Sequence, residues 1–570
     1  MDASPSASAL PPASFDSIIL AAVAAECQDL AGARVQRVVQ VGPETLALVL
    51  RRSGAVRTLL ISAHPQWCRM HLTTEAAPTV PGPFAQMLRS RLEGAALRAI
   101  EAAPFERLAT CTFDTLEGPQ DLIAELMGRQ ANLILTSGGV IVGVLKPARP
   151  GRTRDLLPQR PYVRPPQPKP DPRTVLADHL LAAAPSDRPA WRILLQAVAG
   201  IGPAMAHEAC LRAGVDPAGS LDRAATTRVV EVLRAIAEDT LARRFSPRLY
   251  QDFDGRPVAY AAFPMRAYAG FREHPASMSA AVEAVIALAE AAWRLEGARR
   301  ALAAAVAQAL GRVKRALEAV EADLREAEAA EQLRQYGELL LAYLPQVAPG
   351  ATSVEVPGFD GQPTRIPLDP ARSGVENAQA YFKRYARAAA ARRRLPARRA
   401  ALEGERAFLE GLATAIAQAE TEDDLWEVEQ DLIAAGLWQP TRAGARAHPV
   451  SAGRVFAIDG YRVQVGRSAR ENDHLTFEVA RPDDLWLHAR GMPGAHVILT
   501  GGGREPPDAV VEAAARIAAH YSAGRASGKV PVDITRRRHV RRLRGGRPGQ
   551  VTYTNERTLM VAPGLPASTR

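Results

Sequence analysis

Cysteine and lysine are scarce in this chain of 570 residues. Its four cysteines stand singly, without a Cys-x-x-Cys pair or clustered histidines, so the sequence offers no zinc framework and is typical of a reducing compartment. No apolar run approaches the ~20 residues that a membrane-spanning helix needs. No Lys or Arg precedes Arg34, which removes the positive start of a secretory signal. These absences favour a cytoplasmic protein without a membrane span.

Arginine supplies nearly all of the positive charge. Only five of the 71 basic residues are lysine, and the formal net charge is +10. A basic surface attracts polyanions, although an arginine-rich composition can also follow from codon usage. The length and the apolar content of 47% indicate several folded domains. No P-loop, Ser-His-Asp triad or metal-ligand cluster is recognisable, so we expect no cofactor and no metal.

The positive charge is concentrated near the C-terminus. No acid lies between Asp533 and Glu556, and that stretch contains a block of arginines: Arg536, Arg537, Arg538, Arg541, Arg542, Arg544 and Arg547. Such a block predicts a phosphate-binding segment. No Phe, Tyr or Trp is interleaved for base stacking, so we expect it to position RNA without selecting a sequence. A solvated loop or a structural role is the alternative.

Alternating apolar residues and turn signals predict a mixed α+β domain over residues 15–173, after a disordered tail at residues 1–14. A helix is expected at residues 17–30 and a Pro/Arg-rich extended linker at residues 147–172. Residues 174–246 read as helical. We expect a strand at residues 258–263 to complete the first sheet. The helical unit is then an insertion, and residues 247–275 belong to the first domain.

Gly200 and Gly202 stand on either side of Ile201 between two helical patterns. A turn of this form is the core of a helix-hairpin-helix unit, in which backbone N–H groups approach a nucleic-acid phosphate. The pattern therefore predicts RNA contact at the two glycines. An ordinary turn between helices has the same pattern.

The middle of the chain has the spacing of a coiled coil. Apolar residues alternate steps of three and four at Val306, Leu310, Val313, Leu317, Val320 and Leu324, and heptad spacing returns at Leu402, Leu409, Leu412 and Ile416. We predict a long antiparallel coiled coil over residues 276–440, with the non-helical segment 350–370 near its tip. A globular helical domain is the alternative. Short strands around one Ala-rich helix then predict an α/β domain at residues 441–570, so the fold class is α+β multidomain.

A motif in this last domain carries a resemblance. It begins at Asn472 and continues through Asp484, Trp486, His488, Pro493, Gly494 and His496. The order resembles the C-terminal NFACT-R domain of the RqcH/NEMF family, some of whose bacterial members are called fibronectin-binding proteins. Further matching motifs run along the chain: Ser62-Ala63-His64-Pro65, Glu125-Leu126-Met127-Gly128-Arg129, Gly337-Glu338-Leu339-Leu340, Asn377-Ala378-Gln379 and Arg547-Pro548-Gly549.

The resemblance implies a ribosome quality-control factor. Members of the family bind the large ribosomal subunit, and hence its rRNA, while a stalled peptidyl-tRNA still obstructs it. They recruit tRNA, typically tRNA-Ala in bacteria, and the stalled peptide receives an alanine tail without a template. Peptide-bond formation belongs to the ribosomal RNA. The resemblance therefore implies a binding factor and not an enzyme.

The resemblance also assigns residues. The family's first domain uses an Asp-Arg pair to bind tRNA, and the matching positions here are Glu106 and Arg107, with a longer carboxylate. An exposed ion pair is the alternative for these two. The tRNA-binding assignment extends to Glu125, Met127 and Arg129. Family NFACT-R domains often have Ser at the position of Ala495, so no serine nucleophile is expected there.

Other functions remain to be weighed against this one. His488 and His496 invite a catalytic interpretation, but ordering a turn or contacting RNA explains them as well. A mixed domain with a helix-hairpin-helix unit also resembles formamidopyrimidine-type DNA glycosylases, whose N-terminal Pro-Glu and zinc finger this chain lacks. A coiled-coil adhesin or scaffold would require export, which the N-terminus does not favour.

Overall fold

The computed structural model describes residues 13–74, 81–147, 154–183, 188–328, 330–439 and 453–566. The chain divides into two compact units, Met1–Ala292 and Trp293–Arg570. Of the tail predicted at residues 1–14, only residues 13 and 14 belong to the described part. The predicted domain boundary at residues 440–441 lies outside it, so the domain limits stay a prediction.

A nine-stranded antiparallel sheet dominates the first unit, in the order β4-β3-β2-β1-β5-β6-β7-β8-β9. Its elements are α1 (Ser17–Glu26), β1 (Arg34–Gly42), β2 (Thr45–Arg52), β3 (Ala55–Ser62), β4 (Arg69–Thr73), α2 (Pro83–Leu92), β5 (Ala96–Ala102), β6 (Leu108–Thr115), β7 (Gly118–Glu125), β8 (Asn132–Ser137) and β9 (Val140–Val144). Asp16 is the N-cap of helix α1, and its carboxylate accepts the N–H groups of Ile18 and Ile19. The helix is apolar on nearly all sides and lies buried in the core of this unit.

The predicted helical segment and linker differ in outcome. The helices are confirmed as α3 (Ala177–Ala182), α4 (Ala190–Ala197), α5 (Pro203–Arg212) and α6 (Arg223–Leu241). The described part of the linker, residues 154–172, is extended but packed. Leu156 and Tyr162 contact the apolar cluster on β6–β9, and Pro161 forms a β-bridge with Val140. This segment therefore covers one face of the sheet.

The strand expected to complete the first sheet does not join it. A separate three-stranded sheet is formed by β10 (Arg248–Gln251), β11 (Pro257–Ala261) and β12 (Arg272–Pro275), in the order β11-β10-β12. Strand β11 pairs with β10, which immediately precedes it, and Tyr250 faces Ala259. Pairing with a neighbour closes a much shorter loop than pairing with a strand of the first sheet, so its entropy cost is lower.

Long packed helices open the second unit. The elements are α7 (Met278–Glu328), whose residues before Trp293 belong to the first unit, α8 (Ala330–Ala342), β13 (Ser353–Pro357), β14 (Pro363–Pro367), α9 (Gly374–Gln418) and α10 (Glu422–Ala434). The successive helices α7 and α8 run antiparallel to α9, because Arg299 of α7 donates to the carbonyl of Ala419 just after α9, while Gly337 of α8 lies beside the ring of Phe382 near the start of α9. The predicted non-helical segment is the β13–β14 hairpin, and it connects α8 to α9.

An antiparallel sheet of six strands completes the second unit, in the order β15-β16-β18-β17-β19-β22. The elements are β15 (Arg454–Ile458), β16 (Tyr461–Val465), α11 (Ala469–His474), β17 (Leu485–Ala489), β18 (Val497–Thr500), α12 (Asp508–His520), β19 (Val530–Arg536), β20 (Val540–Arg542), β21 (Val551–Tyr553) and β22 (Arg557–Val561). Helix α12 packs on one face of this sheet and closes an apolar core there. Trp486 and Ile498 point to the other face.

Candidate nucleic-acid interface

Glu106 and Arg107 lie in the turn between β5 and β6. The Glu106 carboxylate accepts from Arg164 Nε at 3.1 Å, and both side chains are partly exposed. Such a pair contributes little to folding. Arg107 is half-buried, and its carbonyl accepts the N–H of Leu126. Arg107 also stands near the buried Asp16. Burial raises the pKa of Asp16 to about 6, while three backbone N–H groups and Arg107 oppose that rise.

Glu125, assigned to tRNA binding by resemblance, is buried and hydrogen-bonded within the chain. Its side chain is 1% exposed and accepts two hydrogen bonds from Arg154, at 2.6 and 3.0 Å. Tyr162 Oη donates a third, at 2.8 Å. Burial, with the neighbouring Glu125 charge, raises the pKa of Tyr162, which therefore remains a neutral donor. The Glu125 carboxylate is thus engaged within the chain, and tRNA could reach it only if these bonds broke; its part in tRNA binding stays a prediction.

The other two residues of this motif are more accessible. Met127 is half-buried and Arg129 is exposed, in the turn that joins β7 to β8. Arg129 makes no ion pair with the described residues. Glu106, Arg107, Met127 and Arg129 are therefore the members of the predicted tRNA site with side chains at least partly accessible to a partner.

The turn at Gly200 and Gly202 connects α4 to α5, as predicted, but it is packed against the start of α1. The N–H of Gly202 donates to the Asp16 carboxylate at 2.9 Å, and the carbonyl of Gly200 accepts from the Ser17 backbone and hydroxyl. Gly200 has φ +80°, and a side chain there would meet the Phe105 carbonyl. The buried amide of Gly202 already binds a carboxylate of the same chain, and phosphate contact at the two glycines stays a prediction.

The motif of the C-terminal domain gathers four rings on the open face of the six-stranded sheet. Trp486 is fully buried and stacks on His488 at 5.6 Å between ring centres. Trp486 also meets His496 edge-on and contacts Tyr553. His488 and His496 lie 5.5 Å apart and nearly perpendicular.

His496 ties this face to a π-helical turn at Leu475–Val479. Its Nδ1 lies 2.8 Å from the Thr476 hydroxyl, and its N–H donates to the Asn472 side chain at 3.0 Å. Burial lowers the pKa of His488 to about 4 and of His496 to about 3. Both imidazoles are therefore neutral at pH 7, and each has one donor and one acceptor nitrogen.

The remaining motif residues shape the backbone. Asp484 is buried. Its side chain accepts the Arg481 N–H, and its backbone carbonyl accepts the Arg537 N–H. Pro493 accepts the N–H of Ala523. Gly494 passes so close to Ser522 that a Cβ there would lie 3.1 Å from the Ser522 Cβ. These three residues thus fix turns of the backbone, while both interpretations of His488 and His496, ordering a turn and contacting RNA, stay predictions.

Most arginines of the block contact acidic or aromatic side chains. Arg536 pairs with Glu505 at 2.9 Å, Arg538 with Asp483 at 2.7 Å and Arg542 with Asp473 at 2.7 Å. The guanidinium groups of Arg537 and Arg542 lie over the ring of Phe477. Most of the block therefore holds this domain together. Arg541 and Arg544 are exposed and have no ion-pair partner in the part of the chain that the structure describes.

A second basic surface was missed by the sequence reasoning. Helix α9 carries eight exposed basic residues and no acid over residues 377–402: Lys383, Arg384, Arg387, Arg392, Arg393, Arg394, Arg398 and Arg399. Only Arg399 among them forms an ion pair with described residues, with Glu403 at 3.0 Å. A count of charges along the chain would have found this run. We call these eight residues the α9 basic face; seven of them have no ion-pair partner among the described residues.

Metal and membrane features are not found in the described residues. No group of three or more His, Cys, Asp or Glu side chains there is arranged to hold a metal ion, and the four cysteines are free and buried. No helix of the described residues is both long and apolar enough to cross a membrane.

Comparison with known proteins identifies the family of this chain. Residues 16–449 match the NFACT N-terminal and middle domains, and residues 453–544 match the NFACT protein RNA binding domain. The chain is 28% identical over 573 residues to the Rqc2 homolog RqcH of Bacillus subtilis (strain 168), across 96% of this chain and 98% of that protein. It is 29% identical over 565 residues to the Rqc2 homolog RqcH of Streptococcus pneumoniae serotype 2, with the same coverage.

A solved structure, the C-terminal part of the fibronectin/fibrinogen-binding protein from Streptococcus suis, is 29% identical, covers 48% of this chain and 96% of that chain, and has a TM-score of 0.38. The first family match alone spans well over half of the chain. The chain therefore belongs to the NFACT family, the RqcH/NEMF family of ribosome quality-control factors, and carries that family's RNA-binding domain.

Proposed function

We propose that this chain binds large ribosomal subunits obstructed by a peptidyl-tRNA and recruits tRNA to them. The tRNA in this proposal is tRNA-Ala, and the stalled peptide receives an alanine tail without a template. The observation that carries the proposal is the match of two family models, one after the other, from residue 16 to residue 544. The protein acts in the cytoplasm, and peptide-bond formation is left to the ribosomal RNA.

Two separate surfaces support a division of labour. The α9 basic face, with Arg541 and Arg544, offers unpaired guanidinium groups to rRNA phosphates. These contacts are independent of sequence and depend strongly on salt. Arg107, with Arg129 nearby in sequence, contributes to the tRNA contact in the first unit. Arginine suits this role because its fork of donors fits phosphate and base edges.

The first test is sedimentation of the full chain with large ribosomal subunits. Arg392, Arg393 and Arg394 are reversed to Glu on the α9 basic face. The control reverses Arg37, Arg51 and Arg57, which are exposed on the first sheet, so both variants change the net charge equally. We expect only the α9 variant to lose subunit binding and to flatten its salt dependence, by nearly one log unit for each phosphate that is no longer neutralised.

The RNA that co-purifies from cells is sequenced in the same experiment. Large-subunit rRNA together with one tRNA family is the expected result, and that tRNA is tRNA-Ala. Wild-type protein found only at the top of the gradient at low salt, without RNA, would contradict the function. Equal loss of binding in the two charge-reversed variants would show that the α9 surface has no special part.

The second test separates tRNA recruitment from subunit binding. Arg107→Ala removes donors that alanine cannot replace, and removal of a good bidentate interaction costs about 1–3 kcal/mol. We expect tRNA pull-down to fall by the corresponding factor, roughly 5- to 160-fold, while sedimentation with large subunits is unchanged. Arg98→Ala, at an exposed arginine of β5, is the matched control. Normal tRNA recovery with folded Arg107→Ala would refute the role given to this arginine.

A further inference from the structure

A cavity of about 450 Å³ lies between helix α9 and the open face of the six-stranded sheet. Its size is within the range of small-ligand pockets in proteins. His488 and His496 line the sheet side, Tyr553 comes from β21, and Tyr521 follows α12. Leu543, which also lines it, is 41% exposed, so the cavity reaches the protein surface at the turn between β20 and β21.

Aromatic and imidazole rings form part of the walls of this cavity. The two histidines stand perpendicular to each other, and Trp486 stacks behind His488. The charged side chains of the lining already have partners: Asp424 with Arg454 and Arg467, and Glu410 with Arg406. An anionic ligand would find no unpaired cation inside. A neutral heteroaromatic ring would find ring faces, backbone edges and imidazole nitrogens.

Small residues form part of the helix side of the cavity, beside Phe408, Leu412 and Gln418. Gly404 and Gly411 of α9 line it together with Ala407 and Ala415, at the spacing of one helix face. Glycine is among the least helix-favouring residues, yet an ideal Cβ at Gly404 or Gly411 meets nothing within 4 Å. Packing of the described residues therefore does not require glycine at either position. Glycine permits close approach to the helix backbone, and at Gly404 the Gln550 side-chain amide makes such an approach, 2.8 Å from the carbonyl oxygen.

Positive charge stands at the opening. The turn that joins β20 to β21 carries Arg544, which is exposed, and Arg547, whose guanidinium lies over Phe408 and 3.6 Å from Glu405. A neutral, ring-lined interior below an arginine-bearing mouth matches the two halves of a nucleotide. Single-stranded RNA is bound in this way, with splayed bases stacked on aromatic side chains and phosphates held by arginine.

We propose that this cavity holds one unstacked base of single-stranded RNA, with the adjoining phosphate at the turn that carries Arg544. The proposal rests on the proposed RNA-binding function and adds a site to it. Duplex RNA keeps its bases paired and stacked, so it can use only the arginines at the mouth. The cavity therefore distinguishes single strands from duplexes.

The test measures binding of the full chain to a short end-labelled RNA, single-stranded or annealed to its complement. Gly411→Leu fills the cavity from the helix side without altering either histidine. The control is Gly297→Leu, at an exposed glycine of α7 where a Cβ also meets nothing within 4 Å. We expect Gly411→Leu to weaken single-strand binding about tenfold, as loss of one stacked base does, and duplex binding less than about twofold. Gly297→Leu should change neither.

The outcomes are separable. Folded Gly411→Leu that binds the single strand as tightly as wild type would overturn the cavity proposal and leave RNA binding intact. Wild-type protein that binds neither probe would overturn RNA binding itself. If Gly411→Leu melts below the assay temperature, wild type is mixed with single strands that carry 2-aminopurine at one position at a time. A fluorescence change at one position supports the proposal, because that base has left its stack, whereas equal signals at all positions would overturn it.

Discussion

Replacement of Arg154 by alanine is expected to destabilise the first unit strongly. The change removes both hydrogen bonds that hold the Glu125 carboxylate, which is 1% exposed and has no access to water in exchange. Breaking a buried pair by removing one partner costs about 3–5 kcal/mol. Tyr162 keeps its hydrogen bond to Glu125, so we expect a loss near the lower end, about 3 kcal/mol.

Thermal unfolding of the full chain, followed by circular dichroism, measures this effect. A loss of about 3 kcal/mol corresponds to a fall of roughly 6–12 °C in Tm for a domain of a few hundred residues. Arg164→Ala is the matched control, because it breaks the Arg164–Glu106 pair, whose side chains are 49% and 24% exposed. That pair is worth at most about 1 kcal/mol. The reasoning fails if the two variants shift Tm equally.

A second change identifies the cause of the loss. Glu125→Gln in the Arg154→Ala background removes the unpaired buried charge and keeps a polar side chain of the same size. We expect part of the lost Tm to return, since an uncharged amide is cheaper to bury than a lone carboxylate. If the double variant is as unstable as the sum of the two single variants, the pair is not coupled and Glu125 has another role.

Two further predictions concern pH and charge. Burial raises the pKa of Asp16 from 3.8 to about 6, so the folded state holds an extra proton between about pH 4 and 6. Wild type should therefore lose up to about 3 kcal/mol relative to Asp16→Asn as pH rises through that window, and a constant Tm difference between the two would refute this. Reversal of Arg541 and Arg544 to Glu should weaken RNA binding at unchanged Tm, because neither is paired among the described residues. Reversal of Arg536 and Arg538 should lower Tm, because both would then face Asp483; the opposite pattern in melting and RNA-binding measurements would contradict the assignment.

Local signals in the sequence predicted most of the secondary structure. Val306, Val313 and Leu317 have heptad spacing, and all three are buried against α9. Strand β7 begins with Gly118-Pro119, a pair typical of a turn, although Gln120 just beyond is buried, so its start is difficult to predict from the sequence. Strand β11 was placed in the wrong sheet. Periodicity indicates that a strand exists but not which strand it pairs with.

The site was harder to predict because its contacts join distant parts of the chain. Arg154 lies 29 residues from Glu125, in a segment whose prolines resemble a linker. The acids that pair with Arg536, Arg538 and Arg542 lie 31 to 69 residues before their partners in the sequence. A short sequence window around the arginine block therefore contains none of these acids. Resemblance gave the family correctly. It did not distinguish a residue that meets RNA from one that holds the domain together.

The same distinction applies to the C-terminal motif. Asn472 accepts the His496 N–H, and Thr476 contacts its Nδ1. Thr476 belongs to the π-helical turn at Leu475–Val479, which also places Phe477 against Arg537 and Arg542. A π-helical turn is unfavourable in isolation and often marks a functional position. Here the turn orients His496, which lines the cavity between α9 and the six-stranded sheet.

Ala495 belongs to the apolar core of the C-terminal domain. Its side chain lies in the apolar core beneath α12, where a serine hydroxyl would need a partner, and its N–H donates to the Tyr521 carbonyl. Both Ala495 and the neighbouring His496 line the cavity. Substitution at Ala495 therefore acts on the stability of the sheet as well as on the cavity wall, whereas substitution at His488 or His496 alters the rings that the proposed ligand would meet. In the proposed base-binding site the neutral rings meet the ligand, and the apolar core beneath α12 holds the strands that carry them.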